Sequence, residues 1–159
     1  MSAQHVLEAI RGLLGDADVP FTEKRHEATY TSEESARARD EPLEIGAKAL
    51  VIKTDDCFRL FVVPANRKID SQAIKRHLGV KKVRFANADE LLSLTGLTPG
   101  SVPPFGEPVL PLQLLADPAL CDNEKVAFNA GSLTTSIIMA SADYRRVAGA
   151  QWLTVSRLA

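Results

Sequence analysis

At 159 residues and a net charge of −1, with 45% apolar and 25% charged residues, the chain has the size and balance of a single globular domain, 1–159, that buries roughly 70% of its unfolded surface. The near-neutral charge excludes a strongly basic nucleic-acid coat, though not a local basic patch. No stretch reaches about 18 apolar residues, and the start, MSAQHVLEAIRGLLG, lacks a basic segment followed by an apolar core, so a cytoplasmic protein without a membrane partner is expected. Cys57 and Cys121 stand outside any CxxC, and His5, His26 and His77 are scattered. No metal or other cofactor is therefore expected, and both cysteines read as small core residues.

In chain order, Val6, Ile10, Leu13 and Leu14 form the apolar stripe of an amphipathic helix over residues 2–14, which Gly15 can end. Val19 to Tyr30 alternates loosely, as a half-exposed strand running into a loop. Thr31 followed by Glu34 is a capping-box pattern for a short helix from Glu33 to Arg39 with alternating charges. Tyr30 stands just before that cap, where free backbone N–H groups can meet an anion. A tyrosine there is ordinarily structural; the alternative is that it borders a site.

Glu44 to Pro64, EIGAKALVIKTDDCFRLFVVP, reads as two apolar strands joined at Asp55-Asp56. Alternation puts Lys48 on one face with Gly46, Leu50 and Ile52, and Ala47, Ala49 and Val51 on the other. An ammonium among such neighbours is costly unless it snorkels or meets an anion, and Gly46 leaves room for something to approach. Two readings stay open: a lysine awaiting a phosphate or carboxylate, and a lysine at a sheet edge reaching solvent.

Asp70 then caps a helix to about Leu78, with Ile74, His77 and Leu78 expected inward and Gly79 at its end. KKVRF (81–85) makes a short strand, and Asn87 with Glu90 gives a second capping box for a helix ending near Leu94. Alternating strands and helices predict an α/β domain. From Arg67 to Arg84 seven basic residues face one acid, Asp70, a local charge of +6; this suits phosphate-backbone contact or simply a solvated face. Thr98 to Gly106, TPGSVPPFG, is a rigid loop that serves a site wall or a connector.

Val109 to Leu115 is expected as a strand, and Asp117-Pro118 as the start of a short helix. Strands Lys125–Phe128 and Thr134–Met139 follow, joined by Asn129-Ala130-Gly131-Ser132-Leu133. That loop can offer N–H groups to an oxyanion or phosphate, with Ser132, Thr134 and Thr135 as extra donors, or it serves turn geometry alone. A helix over Ala142–Val147 and a strand over Trp152–Val155 complete the pattern.

Taken in order, a Tyr before a Ser-Glu-Glu helix, a Lys in the first central strand, a Gly-x-x-x-Pro loop (Gly100 to Pro104) and a late Asn-Ala-Gly-Ser turn resemble the YbaK-like family, the prolyl-tRNA-synthetase-associated editing domain. The likeness runs from about residue 2 to 155. It implies a fold of the α+β type, a mixed, barrel-like β-sheet flanked by helices, and a free-standing enzyme that hydrolyses the ester of mischarged tRNA. It also implies that Lys48 holds the phosphate or ribose end of the terminal adenosine with Tyr30 beside it. Gly100 and Pro104 would then shape the pocket wall, while Asn129, Ala130, Gly131 and Ser132 surround the scissile ester. Lys48, Gly131 and Ser132 are thus the catalytic candidates.

An aminoacyl ester is already activated, so positioning, oxyanion donors and a held water suffice; no Ser-His-Asp or Cys-His grouping is expected. The substrate the resemblance implies is proline tRNA carrying alanine or cysteine, with prolyl-tRNA synthetase as a partner to be tested. Two other readings are a non-catalytic tRNA- or nucleotide-binding module and a synthetase-docking module.

Overall fold

The computed structural model describes residues 3–159; Ser2, with which the first expected helix begins, lies outside the described residues. Helix α1 (Ala3–Asp16) buries Val6, Leu7, Ile10 and Leu14, the face its apolar spacing dictates. Strand β1 (Phe21–Arg25) is shorter than the expected Val19–Tyr30, and α2 (Ser32–Arg39) begins at the Thr31 cap. The hairpin forms as read: β2 (Ala47–Thr54) and β3 (Cys57–Pro64) pair antiparallel, with Thr54 opposite Cys57 and so a two-residue turn at Asp55-Asp56. After it come β4 (Arg67–Ile69), α3 (Ser71–Leu78), β5 (Val83–Phe85) and α4 (Ala88–Thr95), then β6 (Leu114–Ala116), a short 3-10 helix (Pro118–Asp122), β7 (Lys125–Asn129), β8 (Thr135–Ala140), α5 (Ser141–Val147), β9 (Gln151–Trp152) and β10 (Ser156–Leu158).

Among the described residues the strands form a mixed five-stranded sheet, β5-β2-β3-β6-β9, an antiparallel three-stranded sheet, β1-β8-β7, and the ribbon β10-β4. The expectation of a mixed sheet flanked by helices holds. These sheets do not close into a barrel: a single bridge between Gly46 and Ala127 joins the larger two. The five-stranded sheet is apolar on both faces. Val51, Leu60, Val62, Leu114 and Ala116 point into the main core with α1, whereas Ile52, Phe61, Val63 and Leu115 form a second core with Ile74 and Val155. This is why the Glu44–Pro64 runs read as nearly continuous hydrophobic stretches. Leu50 packs against the second core and Ala49 against the first, as the alternation predicts.

Several local readings need correction. Val109 to Gln113 is not a strand: Val109 and Leu110 both donate their N–H to the Gly106 carbonyl, and Pro108 and Pro111 have none to give. The apolar pattern there reflects side-chain burial of Val109, Leu110 and Leu112. The terminal strand splits because buried Asp117 accepts the N–H groups of Val155 and Ser156 at 3.0 and 2.9 Å, turning the chain from β6 toward β4. His77 is exposed rather than inward. Cys57 is exposed beside the hairpin turn and Cys121 half-buried, so neither is a core residue.

Candidate active site

Where the five- and three-stranded sheets meet at the Gly46–Ala127 bridge, a cleft of about 180 Å³ opens. Its lining comes from the 29–32 segment, α2 (Ser35 and Arg39), the start of β2 from Gly46 to Leu50, Ala65, Gly100, Val102 and Asn129. The volume is small against the 300–1,000 Å³ that encloses a whole ligand, so only one end of a large substrate enters.

Lys48 is half-buried at the start of β2, opposite Val63. Burial lowers its pKa below the ordinary value; the nearby Glu33 carboxylate favours the ammonium and Lys68 opposes it. Its ammonium makes no ion pair within 4 Å among the described residues. Gly46 is needed for close packing, because a Cβ there would stand 2.9 Å from Ala65 Cβ and 3.2 Å from the Leu43 carbonyl. The space beside this glycine is therefore filled by the protein itself.

Tyr30 forms the rim. It is 77% exposed, and its N–H donates to Glu34 Oε1 at 2.8 Å while Glu34 N–H donates to Thr31 Oγ1 at 3.1 Å. The expected cap is thus present, with its reciprocal bond displaced by one residue to Tyr30. Behind it, the Thr29 and Ser35 hydroxyls share a buried hydrogen bond of 2.8 Å.

The same cleft is lined by a residue the sequence reading passed over, Arg39. It is 6% exposed, and burial pushes its pKa down to about 10. Its Nε donates to Ser136 Oγ at 2.9 Å and its Nη2 to Asn129 Oδ1 at 3.0 Å. No carboxylate lies within ion-pair distance among the described residues. Asn129 Nδ2 in turn donates to the Gly100 carbonyl at 2.7 Å. His26 Nδ1 stands 2.8 Å from the Glu27 carbonyl and its Nε2 2.8 Å from Ser136 Oγ.

Lys48, Tyr30, Gly100 and Asn129 therefore meet in one cleft. The other four expected site residues do not line it. Pro104 is buried, its carbonyl accepting from Tyr144 Oη at 2.7 Å. The Ala130 N–H donates to Thr135 O, and the Gly131 N–H to Ser101 O, so neither amide is left for an oxyanion. Gly131 adopts φ +86°, and a Cβ there would meet Val6 of α1 at 3.1 Å. Ser132 Oγ is engaged by Thr134, 2.9 Å from its N–H. The basic stretch 67–84 lies outside the cleft, and its Lys81 and Lys82 N–H groups donate to Asp55 Oδ1.

Comparison with known proteins adds a family to this geometry. The model of the aminoacyl-tRNA editing domain matches residues 26–147. The multifunctional Ser/Thr-tRNA deacylase ProXp-y of Escherichia coli (strain K12) is 34% identical over 153 residues, covering 92% of this chain and 90% of that one. The proline–tRNA ligase of Shouchella clausii is 32% identical over 100 residues, 63% of this chain but 17% of the ligase. In fold, the chain matches the crystal structure of a proposed trans-editing enzyme for prolyl tRNA synthetase with a TM-score of 0.80, covering 96% of this chain and 97% of that one at 24% identity.

Proposed function

The chain belongs to the aminoacyl-tRNA editing domain family, and on that premise we propose that it is an aminoacyl-tRNA deacylase, with the aminoacyl end of the tRNA seated between Lys48 and Arg39. The observation that carries this reading is Lys48: a half-buried ammonium in an apolar strand, with no partner within ion-pair distance among the described residues, at the mouth of a cleft. Such a cation is stable where an anion completes it. The terminal phosphodiester and ribose of a tRNA supply that anion.

In this mechanism water adds to the ester carbonyl, the tetrahedral oxyanion collapses, and the ribose oxygen leaves with the proton that water gave up. The ribose's own neighbouring hydroxyl relays that proton. Lys48 orients the adenosine by charge and hydrogen bonding, Tyr30 lies beside it at the rim, and Gly100 and Asn129 form the wall against the ester. Pro104, Ala130, Gly131 and Ser132 keep that wall in place. Pre-set positioning of this kind supplies much of the rate for an activated ester.

For the amino acid, the buried Thr29–Ser35 hydroxyl pair favours a side chain that carries a hydroxyl, since a site built to hydrogen-bond one rejects analogues without it. ProXp-y is itself a Ser/Thr-tRNA deacylase. Serine and threonine therefore rank ahead of the alanine and cysteine that the motifs alone suggest, with proline tRNA the first body to try.

The test is hydrolysis of tRNA charged with serine, threonine, alanine or cysteine by the wild type and Lys48→Ala. Turnover of a seryl or threonyl ester, lost at least about 100-fold in Lys48→Ala with an unchanged circular dichroism spectrum, is expected. Lys48→Arg should rescue poorly, because a planar guanidinium replaces a compact donor. Full activity in Lys48→Ala removes the site. Absence of turnover, with tight salt-sensitive tRNA binding, replaces the enzyme by a binding module.

A further inference from the structure

Helix α2 lacks large apolar residues, and its buried positions are Ser35 and Arg39, four residues apart on one face. Burying a guanidinium costs several kcal/mol unless hydrogen bonds and charge offset it. Arg39 receives only neutral acceptors, Ser136 Oγ and Asn129 Oδ1. Its Nη1 lies 3.7 Å from where a Cβ on Gly46 would stand and has no hydrogen-bond acceptor among the described residues. A position selected for stability alone is better filled by a methionine or leucine.

The bonds Arg39 does make run along the cleft. Its fork fixes the oxygen of Asn129, which decides the direction of that amide; the nitrogen is then aimed at the Gly100 carbonyl, 2.7 Å away. Without the guanidinium the Asn129 oxygen keeps only Ser136 Oγ, a weaker partner at 3.3 Å, and the amide is anchored at its nitrogen alone. Two cleft walls that are 29 residues apart in sequence thus depend on one cation. The backbone also participates: Lys24 Nζ donates to the Arg39 carbonyl at 2.6 Å, tying the end of α2 to β1.

We propose that Arg39 is a positioning residue for the deacylation reaction, acting through Asn129 to fix the wall formed with Gly100 against the ester. This rests on the deacylase reading above.

The experiment measures kcat and KM on seryl- and threonyl-tRNA for wild type, Arg39→Met, Arg39→Lys, Asn129→Ala and the Arg39→Met/Asn129→Ala pair. It adds urea unfolding midpoints and the Asn129 side-chain amide signal in 1H–15N spectra. Arg39→Met should lower kcat about 100-fold with KM changed less than about threefold, and its urea midpoint should equal or exceed that of the wild type. The Asn129 amide signal should move and broaden. Arg39→Lys should not restore kcat, because the fork and not the charge orients the amide. The double variant should be no slower than the worse single one, as for residues that act as a unit. Ser136→Ala, which leaves the Nη2 bond in place, should lose less than about tenfold and gives a variant to measure if Arg39→Met does not fold. Retained kcat in Arg39→Met, a lowered midpoint that accounts for the lost rate, or losses that multiply in the double variant each overturn the proposal. Wild type inert on every ester overturns the deacylase reading and this role with it, whereas an active wild type with an indifferent Arg39 overturns this role alone.

Discussion

Asp117 and Arg39 are buried to a similar degree, 2% and 6% exposed, and each shares a serine hydroxyl with another side chain, yet their charges are treated in opposite ways. Asp117 Oδ1 accepts from Ala119 N–H, and Oδ2 from the N–H groups of Val155 and Ser156 and from Ser156 Oγ. Ser156 Oγ also accepts from the Arg67 guanidinium at 2.7 Å, so the carboxylate sits one hydroxyl away from a cation. Arg39 reaches through Ser136 only to His26 and Asn129. The saturated buried charge joins segments of chain; the unsaturated one beside a cleft holds a cleft-lining amide instead. On the reading proposed above, the contrast separates a centre for folding from a centre that serves the cleft, although the burial of the two is nearly the same.

The largest effect that can break this contrast is expected at Asp117. Asp117→Ala strands two buried N–H groups and should lower the unfolding free energy by roughly 3–4 kcal/mol in a urea titration, while turnover per folded molecule stays unchanged. Turnover lost in the folded fraction would mean that the two centres are coupled.

A pH profile sharpens the other side. Lys48 is a base whose folded pKa lies below 10.5, so the unfolded chain binds more protons. Its unfavourable contribution to stability is therefore present below the folded pKa and fades as pH rises toward the unfolded value. Activity that needs the ammonium runs the other way: the catalysed rate, corrected for spontaneous ester hydrolysis, should fall on an alkaline limb centred below 10.5. Lys48→Arg should flatten that limb. A limb unchanged by this substitution would take the titration away from Lys48.

The smallest effect belongs away from both centres. Asn87 and Glu90 form a full capping box, with Glu90 N–H donating to Asn87 Oδ1 at 2.8 Å and Asn87 N–H to Glu90 Oε1 at 3.0 Å. Asn87→Ala should cost about 1 kcal/mol and leave kcat and KM as they are. A kinetic change there would show that general destabilisation is enough to disturb the cleft.

What the sequence made legible was short-range. The caps at Thr31, Asp70 and Asn87, the left-handed Gly79 after α3 and the Asp55-Asp56 turn each depend on neighbours within a few positions, and each was read correctly. Lys48 was legible because a charge interrupting an apolar strand is an anomaly that alternation exposes. Arg39 was not: in SEESARAR it is one charge among several on a polar helix, and its burial is decided by β7 and β8, about ninety residues away. The one local hint was the spacing of Ser35 and Arg39 along a single helix face. The loop Asn129–Leu133 stayed open between an anion site and a turn for a related reason. Its N–H groups look free in sequence, but Ser101 and Thr135 take two of them, and α1 covers Gly131.

The lining of the cleft is gathered from residues between Thr29 and Asn129, by way of Gly46 to Leu50, Ala65, Gly100 and Val102. The hairpin and the capped helices form over short loops, whereas this gathering closes long ones, whose entropy opposes them until late. The cleft is therefore expected to form late in folding rather than growing piece by piece. After dilution from denaturant, recovered turnover should lag the return of the far-ultraviolet circular dichroism, making the catalytic rate a clock for the final closure of the chain.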